Sequence, residues 1–130
     1  MAKGLDKHKE RIDILSSFGK DLTRRSSSKC ELCSASGVSL NIFEVPPVQD
    51  IPDIEKCVFI CNTCNEFILN PKLDPRGHWK CLNTPIWSEV PAIQVLSYKL
   101  LKQIEAKEKW VSELLEEVYL DPEIEEWAKS

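Results

Sequence analysis

The sequence predicts a small α+β fold that is rich in helix and has a short β-hairpin near its centre. Three observations carry this prediction. Apolar residues recur at helical spacing near both ends of the 130-residue chain. Between the ends, two short runs of branched and aromatic side chains, VSLNIFEV and CVFIC, are typical of strands. Each run adjoins a pair of cysteines with C-x2-C spacing, CELC or CNTC, so the two pairs would frame one hairpin.

The first segment, from Leu5 to Arg25, has the pattern of an amphipathic helix. Its stripe consists of Leu5, His8, Ile12, Leu15, Gly19 and Leu22, widened by Ile14 and Phe18. Arg24 and Arg25 would lie at the negative, C-terminal end of the helix dipole. We therefore expect residues 1–27 to form an N-terminal amphipathic helix that the serine triplet at 26–28 ends.

Residues 28–72 have a different composition and are predicted to form a finger. The strand in VSLNIFEV should end at Pro46-Pro47, because proline cannot donate a hydrogen bond to a β-ladder. The polar stretch VQDIPDIEK is expected to be a loop that leads into the second strand, CVFIC. The sequence NEFILN then favours a short helix, which Pro71 would stop.

Residues 73–130 are predicted to be a helical section after an irregular start. Pro75, Gly77 and Pro85 interrupt the first part of it. Ser88 would cap a helix that runs from Glu89 to about Ala106, and KEKWVSELLEEVYL has the pattern of a second helix. Asp-Pro-Glu at 121–123 is typical of the start of a third, short helix.

Four cysteines give the strongest chemical signal in the chain, with the spacing C-x2-C-x27-C-x2-C. Two residues between cysteines allow both sulfurs to reach one ion from a single tight turn. Zinc prefers four tetrahedral ligands, and thiolates are its usual partners in structural sites. A site with four cysteines has no open position, so the ion would stabilise the fold and not catalyse a reaction. We predict one structural Zn²⁺ held by Cys30, Cys33, Cys61 and Cys64.

Two cysteines and a histidine remain outside this pattern. Cys57 precedes Cys61 by four residues, and Cys81 follows His78 by three in HWKC. Free cysteine is commonly a buried small hydrophobic residue. A second metal site made of Cys57, His78 and Cys81 is the alternative, although its spacing is irregular.

Charge and hydropathy indicate a cytoplasmic protein. The sequence has no apolar run of membrane-spanning length, and its charged N-terminus lacks the apolar stretch of a secretory signal. A reducing cytoplasm favours metal binding over disulfides for the paired cysteines. The net charge of −4 combines a surplus of four positive charges in residues 1–30 with a surplus of six negative charges in residues 105–130. Non-specific DNA binding is therefore not expected of the whole chain, although a basic patch at Arg24, Arg25 and Lys29 exists.

The order of cysteine turn, hairpin, cysteine turn and helix is that of a treble-clef zinc finger. It resembles the scaffold of HNH-type endonucleases, in which a histidine on the hairpin acts as general base. The corresponding stretch here, LNIFEVPPV, contains no histidine, whereas Asn65 matches a common feature of that family. The resemblance therefore implies the scaffold without the nuclease activity.

A second resemblance covers nearly the whole chain. The segments KCELCSASGVSLNIFEVPPV, HWKCLN and IWSEVPAIQVLSYKLL are similar to the zinc-ribbon part of PhnA-like bacterial proteins, named after an alkylphosphonate-uptake operon. The similarity continues to YLDPEIEEWA, and it implies that the four paired cysteines are the zinc ligands. Many relatives continue into a small β-rich domain that this sequence does not include, so no activity of that domain is expected here.

These observations favour a non-catalytic zinc-binding module whose partner is a protein or a nucleic acid, with no membrane involved.

Of the four tryptophans, Trp79, Trp87 and Trp110 are expected in the core, and Trp127 is the better candidate for a partner contact. The stripe of Trp110, Leu114 and Val118 would pack on the preceding helix or on another subunit. The alternative is a metal-dependent hydrolase or nuclease related to HNH enzymes or to alkylphosphonate metabolism. For an enzyme, His78 with Asp74 or Glu44 is the best candidate set.

Overall fold

The computed structural model describes residues 2–75 and 77–130, with side chains described from residue 7 onward. The α-helices in chain order are α1 (Ala2–Ser17), α2 (Gly19–Ser26), α3 (Asn62–Leu69), α4 (Pro91–Ile104), α5 (Lys109–Glu117) and α6 (Pro122–Ala128). The strands are β1 (Leu40–Glu44) and β2 (Cys57–Cys61), and three short 3₁₀ helices lie at Ile54–Lys56, His78–Asn83 and Pro85–Trp87. This architecture confirms the predicted α-rich α+β fold, with a central hairpin and helices on both sides of it in the sequence.

The N-terminal segment forms two helices, where the sequence predicted one. The peptide N–H of Phe18 bonds to the carbonyl oxygen of Leu15 at 3.0 Å, a tightened turn just before Gly19, whose helix propensity is low. Within the apolar stripe, Ile12 is 48% exposed, whereas Leu22 is fully buried. The side chain of Leu5 lies outside the described residues.

Strands β1 and β2 form the predicted antiparallel hairpin. Leu40 pairs with Cys61 at one end, and Glu44 pairs with Cys57 at the other. The N–H of Val45 adds one more bond, to the carbonyl oxygen of Lys56 at 2.9 Å, and the ladder stops at the two prolines that follow. Because Cys61 ends β2, the hairpin delivers the second cysteine pair to the start of α3.

The C-terminal section contains the main buried helix, α4. It begins at Pro91 and not at Glu89, because proline suits the first helical position, where its missing N–H costs nothing. The N-cap residue is Val90 and not Ser88 as predicted. The Ser88 hydroxyl still accepts a hydrogen bond from the N–H of Val90 at 3.1 Å, just before the helix begins. The interval before α4 is more regular than the sequence predicted, since the two 3₁₀ helices occupy most of 78–87.

One hydrophobic core connects the hairpin to the C-terminal helices. Val58 and Ile60 of β2 are fully buried, and they belong to the same packed cluster as Val95 and Leu101 of α4. Helix α6 contacts the chain just after β1, where the indole N–H of Trp127 donates to the carbonyl oxygen of Pro46 at 2.9 Å. Within the described residues, no helix combines the length and the apolar character needed to cross a membrane.

Candidate metal centre

The first cysteine turn follows α2 and is closed by backbone hydrogen bonds. The N–H of Cys30 donates to the carbonyl oxygen of Ala35, and the N–H of Ser34 donates to the carbonyl oxygen of Cys30, both at 2.9 Å. Ser34 has a φ of 66°, a left-handed conformation that reverses the chain directly after Cys33. The turn therefore holds Cys30 and Cys33 on one tight loop, as the C-x2-C spacing predicted.

The second cysteine turn joins β2 to α3. Cys61 is the N-cap residue of α3, and its sulfur accepts a hydrogen bond from the N–H of Cys64 at 3.5 Å. Cys64 therefore lies in the first turn of the helix, on the same side as Cys61. Both residues are buried, with exposed fractions of 4% or less.

The first turn is fastened to β2 by a buried carboxylate. The N–H of Glu31 donates to the carbonyl oxygen of Phe59 at 2.8 Å, and the N–H of Phe59 donates back to the Glu31 side chain at 2.8 Å. The Glu31 side chain, 3% exposed, also accepts two bonds from Arg25 of α2, at 2.6 and 2.8 Å. These contacts bring the Cys30 turn beside the end of β2 that carries Cys61.

The four sulfurs form one cluster whose geometry fits a tetrahedral ion. The Sγ atoms of Cys30 and Cys64 are 3.8 Å apart, those of Cys33 and Cys61 are 3.6 Å apart, and all four lie within 4.8 Å of one another. Zinc–sulfur bonds of about 2.3 Å in a regular tetrahedron place the sulfurs about 3.8 Å apart. Both separations far exceed the S–S bond length of about 2.05 Å, so these cysteines are free thiols and not disulfides. The four residues could therefore hold one metal ion.

The electrostatics of the cluster differ from one thiol to the next. The pKa of Cys30 falls to about 4, because its sulfur is hydrogen-bonded to Cys64 and the N–H groups of Cys33 and Leu32 also point at it. Burial raises the pKa of Cys33 to about 11, and the hydrogen bond to Cys30 raises the pKa of Cys64. Without a cation, one thiolate therefore suppresses ionisation of its neighbours. A bound metal must displace those protons, so its affinity falls as the pH is lowered.

A histidine that the metal-ligand pattern did not include lies against this cluster. The Nε2 atom of His78 is 3.2 Å from the Sγ of Cys64. Its ring also contacts Phe67, with 5.2 Å between ring centroids, and Trp79, at 5.0 Å. Burial lowers the pKa of His78, although the Cys30 thiolate opposes that shift.

Cys81 shares the 3₁₀ helix of His78 and also lies near the cluster. Residues three apart in a 3₁₀ helix project in the same direction. The HWKC spacing was therefore the sequence signal that His78 and Cys81 face the same side. Burial raises the pKa of Cys81 to about 12, and the Cys33, Cys30 and Cys61 thiols add to that shift.

The structure does not bring Cys57, His78 and Cys81 together as a second metal site among the residues that it describes. Cys57 is fully buried at the opposite end of β2, and its thiol donates to the carbonyl oxygen of Asp53 at 3.3 Å. Burial raises the pKa of Cys57 to about 11, which is the behaviour of an inert core thiol.

Of the enzyme alternative, Glu44 lies apart from His78. Glu44 pairs with Cys57 in the ladder, four residues along the strand from the Leu40–Cys61 end, a separation of about 14 Å at the usual rise per residue. Its carboxylate is bound by the Arg11 guanidinium in an ion pair. Asp74 is exposed in the segment that follows α3. His78 therefore shares its surroundings with the cysteine cluster and not with Glu44.

The predicted basic patch contains one arginine that is bound within the chain and two cations that are exposed. Arg25 donates hydrogen bonds to Glu31 and to the carbonyl oxygen of Cys57, whereas Arg24 and Lys29 are exposed.

Of the tryptophans expected in the core, Trp79 is buried as predicted. The core prediction for Trp87 is wrong, since this side chain, at the end of the 3₁₀ helix Pro85–Trp87, is 49% exposed.

The remaining tryptophans make contacts within the chain. Trp110 packs against the core cluster together with Leu114 and Val118, so the stripe of α5 is used internally. Trp127 is half-buried, and Lys56 lies over its ring at 4.5 Å from the centroid. Trp127 therefore contacts the hairpin at the end that carries Cys57, and its proposed role in a partner contact stays a prediction.

Comparison of the chain with family models, with curated proteins and with solved structures found no match.

Proposed function

We propose that this chain is a non-catalytic zinc-binding module in which one structural Zn²⁺ is held by Cys30, Cys33, Cys61 and Cys64. The observation that carries the proposal is the convergence of four thiol sulfurs within 4.8 Å, three of them on buried residues and the fourth on the half-buried Cys33. Tetrahedral sites with four thiolates hold zinc or iron, and zinc is the usual ion of structural Cys₄ sites. Four protein ligands leave no position for water or substrate, which is the pattern of a structural site.

The ion would stabilise the finger by joining segments that share few apolar contacts. The first cysteine turn contributes one buried apolar side chain outside the cluster, Leu32. Zinc would connect that turn to the end of β2 and to the first turn of α3. Structural zinc supplies about 10–16 kcal/mol of apparent binding free energy in zinc-finger peptides near neutral pH, and binding of that size is coupled to folding.

The resemblance to the zinc-ribbon part of PhnA-like bacterial proteins supports this assignment, and we infer a cytoplasmic role in a bacterial cell from it. A protein or a nucleic acid is the proposed partner. Trp87 and Lys29 line one groove beside Cys30, and both are exposed. An exposed indole and an ammonium group on one surface suit either class of partner.

The test is metal content by mass spectrometry, on protein purified without added metal. We expect one zinc per chain in the wild type and loss of zinc in Cys61→Ser. Cys57→Ser is the matched control, because it removes a buried thiol of the same strand that faces Asp53 and not the cluster. It should retain one zinc per chain.

Folding of the same proteins can be followed by circular dichroism and by NMR amide dispersion. Addition of a strong chelator should collapse the dispersion of the finger resonances, and added Zn²⁺ should restore it. Wild-type protein without metal, or a Cys61→Ser variant that keeps a full equivalent of zinc, would overturn the proposal.

A further inference from the structure

We propose that His78 is a positioning residue of the metal centre, which donates its Nε2–H to the Cys64 thiolate and thereby protects the zinc–sulfur bond. The proposal rests on the zinc site proposed above. It concerns a side chain that lies outside the four ligands and that the C-x2-C pattern does not predict.

The direction of the hydrogen bond follows from the chemistry of the ligand. A metal-bound cysteine is a thiolate and has no proton to donate. The 3.2 Å contact between His78 Nε2 and Cys64 Sγ must then run from the ring to the sulfur. A neutral imidazole meets this requirement when its proton is on Nε2, so no change in the charge of His78 is needed.

Cys64 differs from the other ligands in the kind of donor that it receives. Cys30 accepts hydrogen bonds from the peptide N–H groups of Leu32 and Cys33, both at 3.4 Å, and Cys61 accepts one from Cys64. The donor at Cys64 is a side chain from a different part of the fold. A Zn(Cys)₄ centre has a formal charge of −2, so each N–H that points at a sulfur reduces the excess negative charge.

The surroundings of His78 hold its ring in place. The 3₁₀ helix that carries it starts after Gly77, whose φ of 84° favours glycine, and the His78 N–H donates to the carbonyl oxygen of Pro75 at 2.8 Å. The rings of Phe67 and Trp79 pack on the imidazole from α3 and from the same 3₁₀ helix. Such packing fixes the orientation of the donor before the metal arrives.

The expected consequence is a less nucleophilic Cys64 thiolate. A hydrogen bond to sulfur withdraws electron density, which slows attack of the thiolate on an alkylating agent and slows release of the metal. Removal of an outer-shell hydrogen bond typically costs 10–100-fold in metal affinity or activity. We therefore expect an effect of about tenfold on zinc retention.

The experiment uses zinc-loaded full-length protein and measures zinc release during alkylation with iodoacetamide, with a chromophoric chelator as reporter. His78→Phe keeps an aromatic ring against Phe67 and Trp79 but removes the donor. It should release zinc about tenfold faster than the wild type, with Cys64 alkylated first in peptide mass spectra. His78→Gln places an amide N–H donor near the same position and should restore slow release.

Phe67→Leu is the matched control for packing, since it removes one of the two rings that contact the imidazole but keeps the Nε2 donor and its contact with Trp79. It should release zinc far more slowly than His78→Phe. Cobalt-substituted protein gives an independent readout, because the thiolate-to-cobalt charge-transfer band should shift in His78→Phe and not in Phe67→Leu.

The two proposals fail in different ways. A wild-type protein without zinc would overturn the zinc site itself. A zinc-loaded wild type whose release rate and cobalt spectrum are matched by His78→Phe would overturn only the role of His78. Equal acceleration in His78→Phe and Phe67→Leu would also overturn it, since packing alone would then explain the effect.

Discussion

Helices α1 and α4 are similar in length and both carry apolar residues at helical spacing, but they are attached to the molecule in different ways. Seven residues of α4 are buried, from Ala92 to Leu101. In the described part of α1, residues 7–17, every side chain is exposed or only partly buried. The comparison shows that helical periodicity predicts a helix reliably, whereas the surface that covers its apolar stripe depends on the rest of the fold.

Polar contacts replace apolar burial at α1. The Arg11 guanidinium binds the Glu44 carboxylate and donates to the carbonyl oxygens of Gln49 at 2.9 Å and Asp50 at 3.1 Å. One side chain thus ties α1 to β1 and to the loop after it. Helix α2 is intermediate, since it combines the fully buried Leu22 with the Arg25–Glu31 pair.

The largest loss of stability is expected from truncation in α4. Leu100 is 2% exposed within the core cluster, so Leu100→Ala removes buried apolar area and leaves a cavity, at a cost of about 2–5 kcal/mol in the free energy of unfolding. Urea denaturation at a fixed zinc concentration measures this loss. Leu69→Ala is the control, because Leu69 is 69% exposed and should change stability by less than about 0.5 kcal/mol. Equal losses in the two variants would contradict the assignment of α4 to the core.

A smaller loss is expected at the buried carboxylate that fastens the first cysteine turn. Glu31→Gln keeps the shape of the side chain but removes the charge that Arg25 faces, at a cost of about 2 kcal/mol, since bonds to charged groups contribute more than neutral ones. Asp21→Asn is the control, on the helix that carries Arg25, because the pair of Asp21 with Arg24 spans 3.9 Å and is exposed. Thermal unfolding of the zinc-loaded variants measures the loss of stability in each of them. A loss in Asp21→Asn as large as that in Glu31→Gln would refute the special role of the buried pair.

The smallest global effect is expected at α1. Arg11→Met keeps the aliphatic stem and removes the guanidinium, so α1 and residues 45–53 should lose protection from amide hydrogen exchange while the global free energy of unfolding falls by about 1 kcal/mol or less. Ile12→Ala is the control, because Ile12 is 48% exposed, and it should leave exchange unchanged. Unchanged exchange in Arg11→Met would show that α1 is held by other contacts.

Several elements were predictable from the sequence because their causes are local. The strands at 40–44 and 57–61, the proline stop after β1 and the start of α6 at Asp121-Pro122 were all predicted close to their observed positions. The zinc-ligand prediction is compatible with the structure, in which the same four cysteines converge. Each of these features depends on spacing or turn chemistry within a few residues.

The sequence interpretation was least accurate where burial decides the outcome. Trp87 was expected in the core and is 49% exposed, and Ile12, on the predicted apolar stripe of the first helix, is 48% exposed. The stretch from Leu73 to Pro85 was predicted to be irregular, since its prolines and glycine gave no periodic pattern. Two short 3₁₀ helices form there, and short turns of this kind leave little trace in apolar spacing.

The sequence by itself determined the chemistry of the centre: four thiols in two C-x2-C turns, because two intervening residues are enough to bring a pair of sulfurs to one side of a turn. Only the tertiary structure decided what surrounds them. Glu31 meets Phe59 across 28 residues, Arg11 meets Glu44 across 33, and His78 reaches Cys64 from a separate turn. These contacts depend on how the hairpin, α1 and the 3₁₀ helices dock, which local spacing does not specify.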